Sequence, residues 1–137
     1  MQTDKNHILS LLERLSTSYS QRRADDYLAC FAEPAIVYGT GVDEKCVGAA
    51  EIRAHLDRDW SQSASASFTL ETPQVEIMAG TAWVISDCRF DFRTDAGEGH
   101  LPGRVTFILG NVDGQWRIRH AHFSVPTGVE GSSFSTA

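Results

Sequence analysis

From residue 68 onward the chain alternates apolar and polar side chains, in runs separated by short turn-forming sequences. A period of two is the signature of strands with two differently employed faces, so this half predicts an antiparallel sheet. Phe68 to Ala79 reads as a strand interrupted at Pro73, where a central strand would lose a hydrogen-bond donor. Gly80-Thr81 is a tight turn into a strand over residues 82–93, and Thr94 to Gly99 connects it to a strand over 102–112. Asp113-Gly114 is a strong hairpin signal leading into a final strand.

Alternation also assigns faces. One is predicted to carry Val84, Ser86, Cys88 and Phe90, then Arg104, Thr106 and Ile108, then Trp116, Ile118, His120 and His122. The other carries Trp83, Ile85, Asp87 and Arg89, then Val105, Phe107 and Leu109, then Arg117, Arg119 and Phe123. The final strand thus grades on its first face from apolar packing into two imidazoles, as a strand does when it runs from a core into a pocket. Imidazoles suit proton transfer near neutral pH. The second face mixes large apolar groups with charges, and a second copy of the chain is the natural cover for it.

The first half is helical. Ile8, Leu11, Leu12, Leu15 and Tyr19 recur at helical spacing, with Thr3 or Asp4 as cap, predicting a helix over residues 4–22. A second, short helix carries Tyr27, Leu28 and Phe31 and stops before Pro34. Ala35 to Thr40 reads as a strand entering a loop over 41–48. A third helix starts near Ala49, with Ile52, Leu56 and Trp60 on one face, and Ser61 to Ser67 reads as a loop. Three N-terminal helices covering a long meander make an α+β fold. Residues 1–126 read as one domain and 127–137, rich in Gly, Ser and Thr, as a flexible tail.

Composition narrows the function classes. Twelve basic residues stand against 18 acidic ones, a net charge of −6, and the only basic doublet is Arg22-Arg23. That pattern argues against nucleic acid as a partner. No apolar run is long enough for a membrane span, and no signal sequence is visible. Cys30, Cys46 and Cys88 are odd in number, far apart and without a C-x-x-C spacing, as buried small hydrophobes are in a reducing compartment. A cytoplasmic protein is expected.

Several segments resemble one superfamily: Tyr27-Leu-Ala-Cys-Phe-Ala32 before the first strand, Tyr38-Gly-Thr-Gly-Val-Asp-Glu44 after it, and Gly48-Ala-Ala-Glu-Ile52 opening the third helix. Arg104-Val-Thr-Phe-Ile108 and Trp116-Arg-Ile-Arg-His-Ala-His-Phe-Ser124 complete the likeness. The chain is similar to the SnoaL-like group of the nuclear-transport-factor-2-like superfamily, over most of residues 4–126. That resemblance implies a cone-shaped barrel, a strongly curved sheet wrapped around the helices, commonly as a homodimer. The superfamily includes ketosteroid isomerases, scytalone dehydratase, limonene epoxide hydrolase, polyketide cyclases and non-catalytic members, so the fold leaves the reaction open.

The expected ligand is a small, largely apolar organic molecule. The expected chemistry is cofactor-free isomerisation, dehydration or cyclisation by proton transfer; the alternative is a non-catalytic ligand-binding or association module. His122 is the first choice for acid/base work and His120 its support. Arg104, on the same predicted face, needs an anionic or oxygen-rich partner. The resembled fold would put Asp43 and Glu44 near the pocket rim, making Asp43 a candidate partner for a histidine. Tyr38, Trp60 and Tyr19 are candidates to line the cavity. His55 and Asp59, four apart on the third helix, read as a solvated pair. A metal held by the two histidines would need a third ligand such as Asp43, Asp59 or His100; no spacing singles one out, and no metal is expected. Gly39-Thr-Gly41 lacks the third glycine and the context of a dinucleotide site.

Overall fold

The structure, a computed structural model, describes residues 3–127. Helix α1 spans Asp4–Ser20 and buries Ile8, Leu11, Leu12 and Leu15 as one stripe, capped by Thr3, whose Oγ1 accepts from the Asn6 N–H at 3.2 Å. A single turn, α2 at Ala24–Leu28, follows. Strand β1 covers Phe31–Tyr38, so Phe31 opens a strand rather than closing a helix, because it pairs with Ile118 across the sheet. The expected loop over 41–48 contains a three-residue strand, β2 at Lys45–Val47, hydrogen-bonded to β1. Helix α3 spans Ala49–Gln62, and its first N–H, on Ala49, donates to Glu33 Oε2 at 3.0 Å.

Strands β3 (Ser65–Met78), β4 (Thr81–Thr94), β5 (Gly97–Val112) and β6 (Gln115–Ser124) form the meander. β3 takes up the end of the stretch expected as a loop. β5 starts well before residue 102, because Thr94 pairs with Gly97 around a two-residue turn. The sheet order is β2-β1-β6-β5-β4-β3, with β1 and β6 parallel and every other pair antiparallel. Pro73 lies in the edge strand β3, between Glu71 and Gln74, where the register shifts; an edge tolerates the missing donor. The sheet is open, and it curves around α1 and α3, which pack on its inner face. Most of the tail expected from 127 lies outside the described residues.

Paired residues share a face, and the pairing corrects the expected faces. Inside, Val84 lies opposite Phe107 and Ala121, Val105 opposite Phe123, and Ala82 opposite Leu109 and Ile118; all are buried. Outside, Ile85 lies in a row with Thr106, His122 and Tyr38, while Trp83 lies in a row with Ile108, His120 and Ile36. Arg104, paired with Asp87, is outside too. So Arg104, Thr106 and Ile108 do share a face with His120 and His122, but it is the outer face, opposite Val84 and Cys88.

Two physical features produce the inversion. The β4–β5 turn sets a register that puts Arg104 across from Asp87, not beside Cys88. In β6 a bulge intervenes: Ile118 pairs with Leu109 and His120 with Ile108, leaving Arg119 as the additional residue. One extra residue switches strand parity, so Trp116 and Ile118 point inward, and after them Ala121 and Phe123. Of the apolar residues expected to face a partner, Val105, Phe107, Leu109 and Phe123 are core instead, and only Trp83 and Ile85 remain outside.

Candidate functional site

A cavity of about 290 Å³ opens between α1, α3 and the inner face of the sheet. Its walls are aromatic: Tyr19, Tyr27, Phe68, Phe90, Phe92 and Phe123. Phe68 stands 5.5 Å from both Tyr19 and Phe123 between ring centroids, so the wall is a packed series of tilted and edge-on rings. A groove of about 560 Å³ runs beside the cavity, but its walls hold charged pairs such as Arg93–Glu98 and it offers little apolar surface.

The polar groups converge on one side of the cavity. Tyr19, in the last turn of α1, donates its hydroxyl to Asp59 Oδ2 at 2.8 Å. His55 Nε2 lies 3.3 Å from the same oxygen and 3.6 Å from Glu44 Oε2. These three side chains are mostly buried: His55 is 21% exposed, Asp59 25% and Glu44 13%. Ile52, His55, Leu56 and Asp59 fall at i, i+3, i+4 and i+7, so the stripe that buries Ile52 and Leu56 also carries His55 and Asp59 to the cavity.

Two devices hold this arrangement. The Arg22 guanidinium donates to the carbonyls of Trp60 and Ser63, both at 2.7 Å, which locks the end of α1 to the end of α3 and fixes Tyr19 against Asp59. The Gly39-Thr-Gly41 turn wraps the Glu44 side chain: the Gly41 N–H donates to Glu44 Oε1 at 2.8 Å. A Cβ at Gly39 or Gly41 would come within 2.9 or 2.7 Å of the Glu44 side chain, so the glycines serve as a carboxylate cradle.

Electrostatics divide the roles. The hydrogen bond to Asp59 raises the His55 pKa above its ordinary value, winning over burial. Burial pulls Asp59 upward, but the bonds from His55 and Tyr19 outweigh it and hold the carboxyl below the usual carboxylate range. Burial first, and then Asp59, push the Tyr19 phenol well up, so it stays protonated. The result is an ionised carboxylate gripped by an imidazole biased toward imidazolium and by a neutral phenol.

That pairing has a pH signature. A raised imidazole pKa gives stability that is complete below the unfolded value of 6.5 and lost as pH rises through the folded value. A lowered carboxyl pKa gives stability present above 3.8 and lost as pH falls through the folded value. His55→Gln is therefore expected to cost most between these limits and progressively less in alkaline solution, as read from melting temperatures of both proteins from pH 4 to 9. A cost that grows with alkalinity would contradict the ion pair.

Of the residues expected from the sequence to do the chemistry or line the pocket, Tyr19 alone lines the cavity. Trp60 packs behind it, 6.2 Å from the Tyr19 ring, and its buried Nε1 has no hydrogen-bond partner among the described residues. Tyr38 lies on the outer face with its ring 5.1 Å from His122 and 6.0 Å from His120. His120 Nδ1 is 2.7 Å from the Ile36 carbonyl oxygen, and Arg104 is exposed beside them on that same face. Asp43 is exposed, and its carboxylate accepts from Arg58 at 2.9 Å, which lowers its pKa. His55 and Asp59, expected to be solvated, line the cavity instead. Glu44, His55 and Asp59 present donor atoms within 4.8 Å of one another, a spacing a divalent cation can bridge. Arg58, 3.7 Å from Glu44 Oε2, already places a cation there. All three cysteines are free and buried, and burial pushes Cys30 and Cys88 up to about 11.

This cavity between helices and an open curved sheet is the architecture of the nuclear-transport-factor-2-like proteins. The SnoaL-like domain model matches residues 8–128, and the chain belongs to that family. Among solved structures, a Mycobacterium tuberculosis protein of unknown function is similar at a TM-score of 0.82 and 20% identity, over 97% of this chain and 82% of that one. A candidate scytalone dehydratase from Novosphingobium aromaticivorans is similar at 0.81 and 16% identity, over 90% of this chain and 85% of its own. A nuclear transport factor 2-like superfamily protein from Salmonella enterica is similar at 0.81 and 18% identity, over 93% and 96%. At such identities the likeness is one of fold. No curated protein matches the chain. No helix among the described residues is long and apolar enough to cross a membrane.

Proposed function

We propose that this chain binds a small, largely apolar organic molecule in the aromatic cavity and moves a proton on it without a cofactor, as an isomerase, dehydratase or cyclase does. The observation that carries the reading is Asp59, whose one oxygen takes both the Tyr19 hydroxyl and His55 at the edge of an otherwise apolar cavity. Two titratable groups whose environments push their pKa values apart make an acid/base pair. Asp59, held ionised, is the base; His55, biased toward its protonated form, is the acid; Tyr19 orients the carboxylate through its hydroxyl. The aromatic rings exclude water and hold the ligand by its apolar surface. The roles first expected of His122, His120 and Arg104 pass to these residues, because those three side chains belong to the outer face.

The test is binding before turnover. Ligand screening by melting-temperature shift should return small aromatic compounds, and Phe90→Trp, which narrows the cavity, should weaken their effect. Binding undiminished by that substitution would place the ligand elsewhere. Bound ligands that undergo no change would leave the non-catalytic module as the function.

We also propose a homodimer through the outer sheet face. Ile36, Tyr38, Ile85 and Ile108 are each more than a third exposed there, in two adjacent rows running across β1, β6, β5 and β4. Contiguous apolar surface of this kind is unusual on a monomer. Light scattering at micromolar concentration should show twice the chain mass, and Ile85→Asp with Ile108→Asp should shift it to the single mass while circular dichroism stays native. A wild-type protein that is monomeric at that concentration would refute the dimer.

A further inference from the structure

The charge of the cavity narrows what it can hold. No lysine or arginine lines it among the described residues, whereas Glu44, Asp59 and Asp91 do. Asp91 is matched outside the cavity by Arg89 at 3.0 Å. The other two belong to a group in which two cations serve three carboxylates: Arg58 is shared between Asp43 and Glu44, and His55 between Glu44 and Asp59. Even with His55 protonated, one negative charge is left over, and with His55 neutral there are two. Arg58 is bonded more closely to exposed Asp43, at 2.9 Å, than to Glu44, at 3.7 Å, so the deficit falls on the carboxylate that faces the cavity. A partly buried carboxylate without a full counter-charge is costly, and a ligand that brings a positive charge relieves that cost.

The aromatic walls point the same way. Ring faces attract a cation that has left water, most strongly where the site is desolvated, and an apolar cavity with carboxylates at one end is the usual chemistry for holding an organic ammonium group. An anionic ligand meets the reverse: excess negative charge, no basic side chain in the lining, and a chain whose net charge is −6.

We propose that the ligand of this cavity is an aromatic or alicyclic amine in its ammonium form, with its charge against Glu44 and Asp59 and its ring among Phe68, Phe90 and Phe123. This rests on the reading of the cavity as the ligand site and adds the ligand's charge.

Three probes with one skeleton separate the two claims: 1-naphthylmethylammonium, the neutral 1-naphthalenemethanol and the anionic 1-naphthoate, titrated calorimetrically at pH 7.5. The ammonium compound is expected to bind at least about tenfold more tightly than the alcohol, with naphthoate weakest, and the preference should shrink as salt is raised. Glu44→Gln keeps the Oε1 acceptor for the Gly41 N–H and removes the charge. It should lower affinity for the ammonium probe by about tenfold and leave the alcohol unchanged. Equal binding of ammonium and alcohol, or tightest binding of naphthoate, would overturn the amine while the cavity stands as the ligand site. No binding of any probe by the folded protein would overturn both.

Discussion

Phe107→Ala is expected to cost about 3–5 kcal/mol in denaturant unfolding, the range for removing a fully buried phenyl ring. Phe107 has no exposed surface; it sits at the centre of the inner sheet face, opposite Val84 and Ala121, with its ring edge-on to Phe123 at 5.8 Å. The helices cover it from the other side, so the cavity left by truncation cannot drain to solvent. Val112→Ala, further along the same strand, 42% exposed and outside the rows proposed to meet a second copy, is the internal control and should cost on the order of 1 kcal/mol or less. A comparable loss at both positions would mean that the two faces are equally buried, and would contradict the register. Phe107→Asp, which places a carboxylate in this core, should unfold the subunit.

Asp59→Asn should lower kcat by roughly 10²-fold or more on any substrate the wild-type protein turns over, the scale expected for one general acid or base. The amide keeps the shape and an acceptor for the Tyr19 hydroxyl, so the fold should persist, while the base and the charge that hold His55 protonated are gone. His55→Gln should show a similar loss with the alkaline limb of the pH–rate profile displaced, which a purely structural role would not move. His122→Ala and Arg104→Ala should leave kcat within about twofold, since neither side chain lines the cavity. Loss of activity in His122→Ala with full activity in Asp59→Asn would return the chemistry to the histidine strand.

The alternative fates of the two histidine sites show what kind of information a sequence carries. Periodicity was decisive wherever a structure is local. The stripe Ile8, Leu11, Leu12, Leu15 with a Thr3 cap defines α1, and Asp113-Gly114 between alternating runs defines the last hairpin. The α+β class and the family-like order of elements follow from the same patterns. Even the site left a local trace: Ile52, His55, Leu56 and Asp59 share one helical stripe, which already sends an imidazole and a carboxylate toward the core.

What only tertiary structure decided is which face is inside and which distant groups meet. Alternation says that Arg104 and Ile108 share a face; it does not say which face the helices cover, since both faces of β5 carry apolar residues. That choice is made by the register of Thr94 against Gly97 and by the single extra residue at Arg119, and a one-residue change of register exchanges every side chain between core and exterior. The cavity likewise joins Tyr19 to Asp59 across 40 residues, with Glu44 brought in by a glycine turn. Hydrogen bonds between such remote positions have no period to betray them. They form because hydrophobic burial brings α1, α3 and the sheet together, and the polar groups carried along must then find partners away from water.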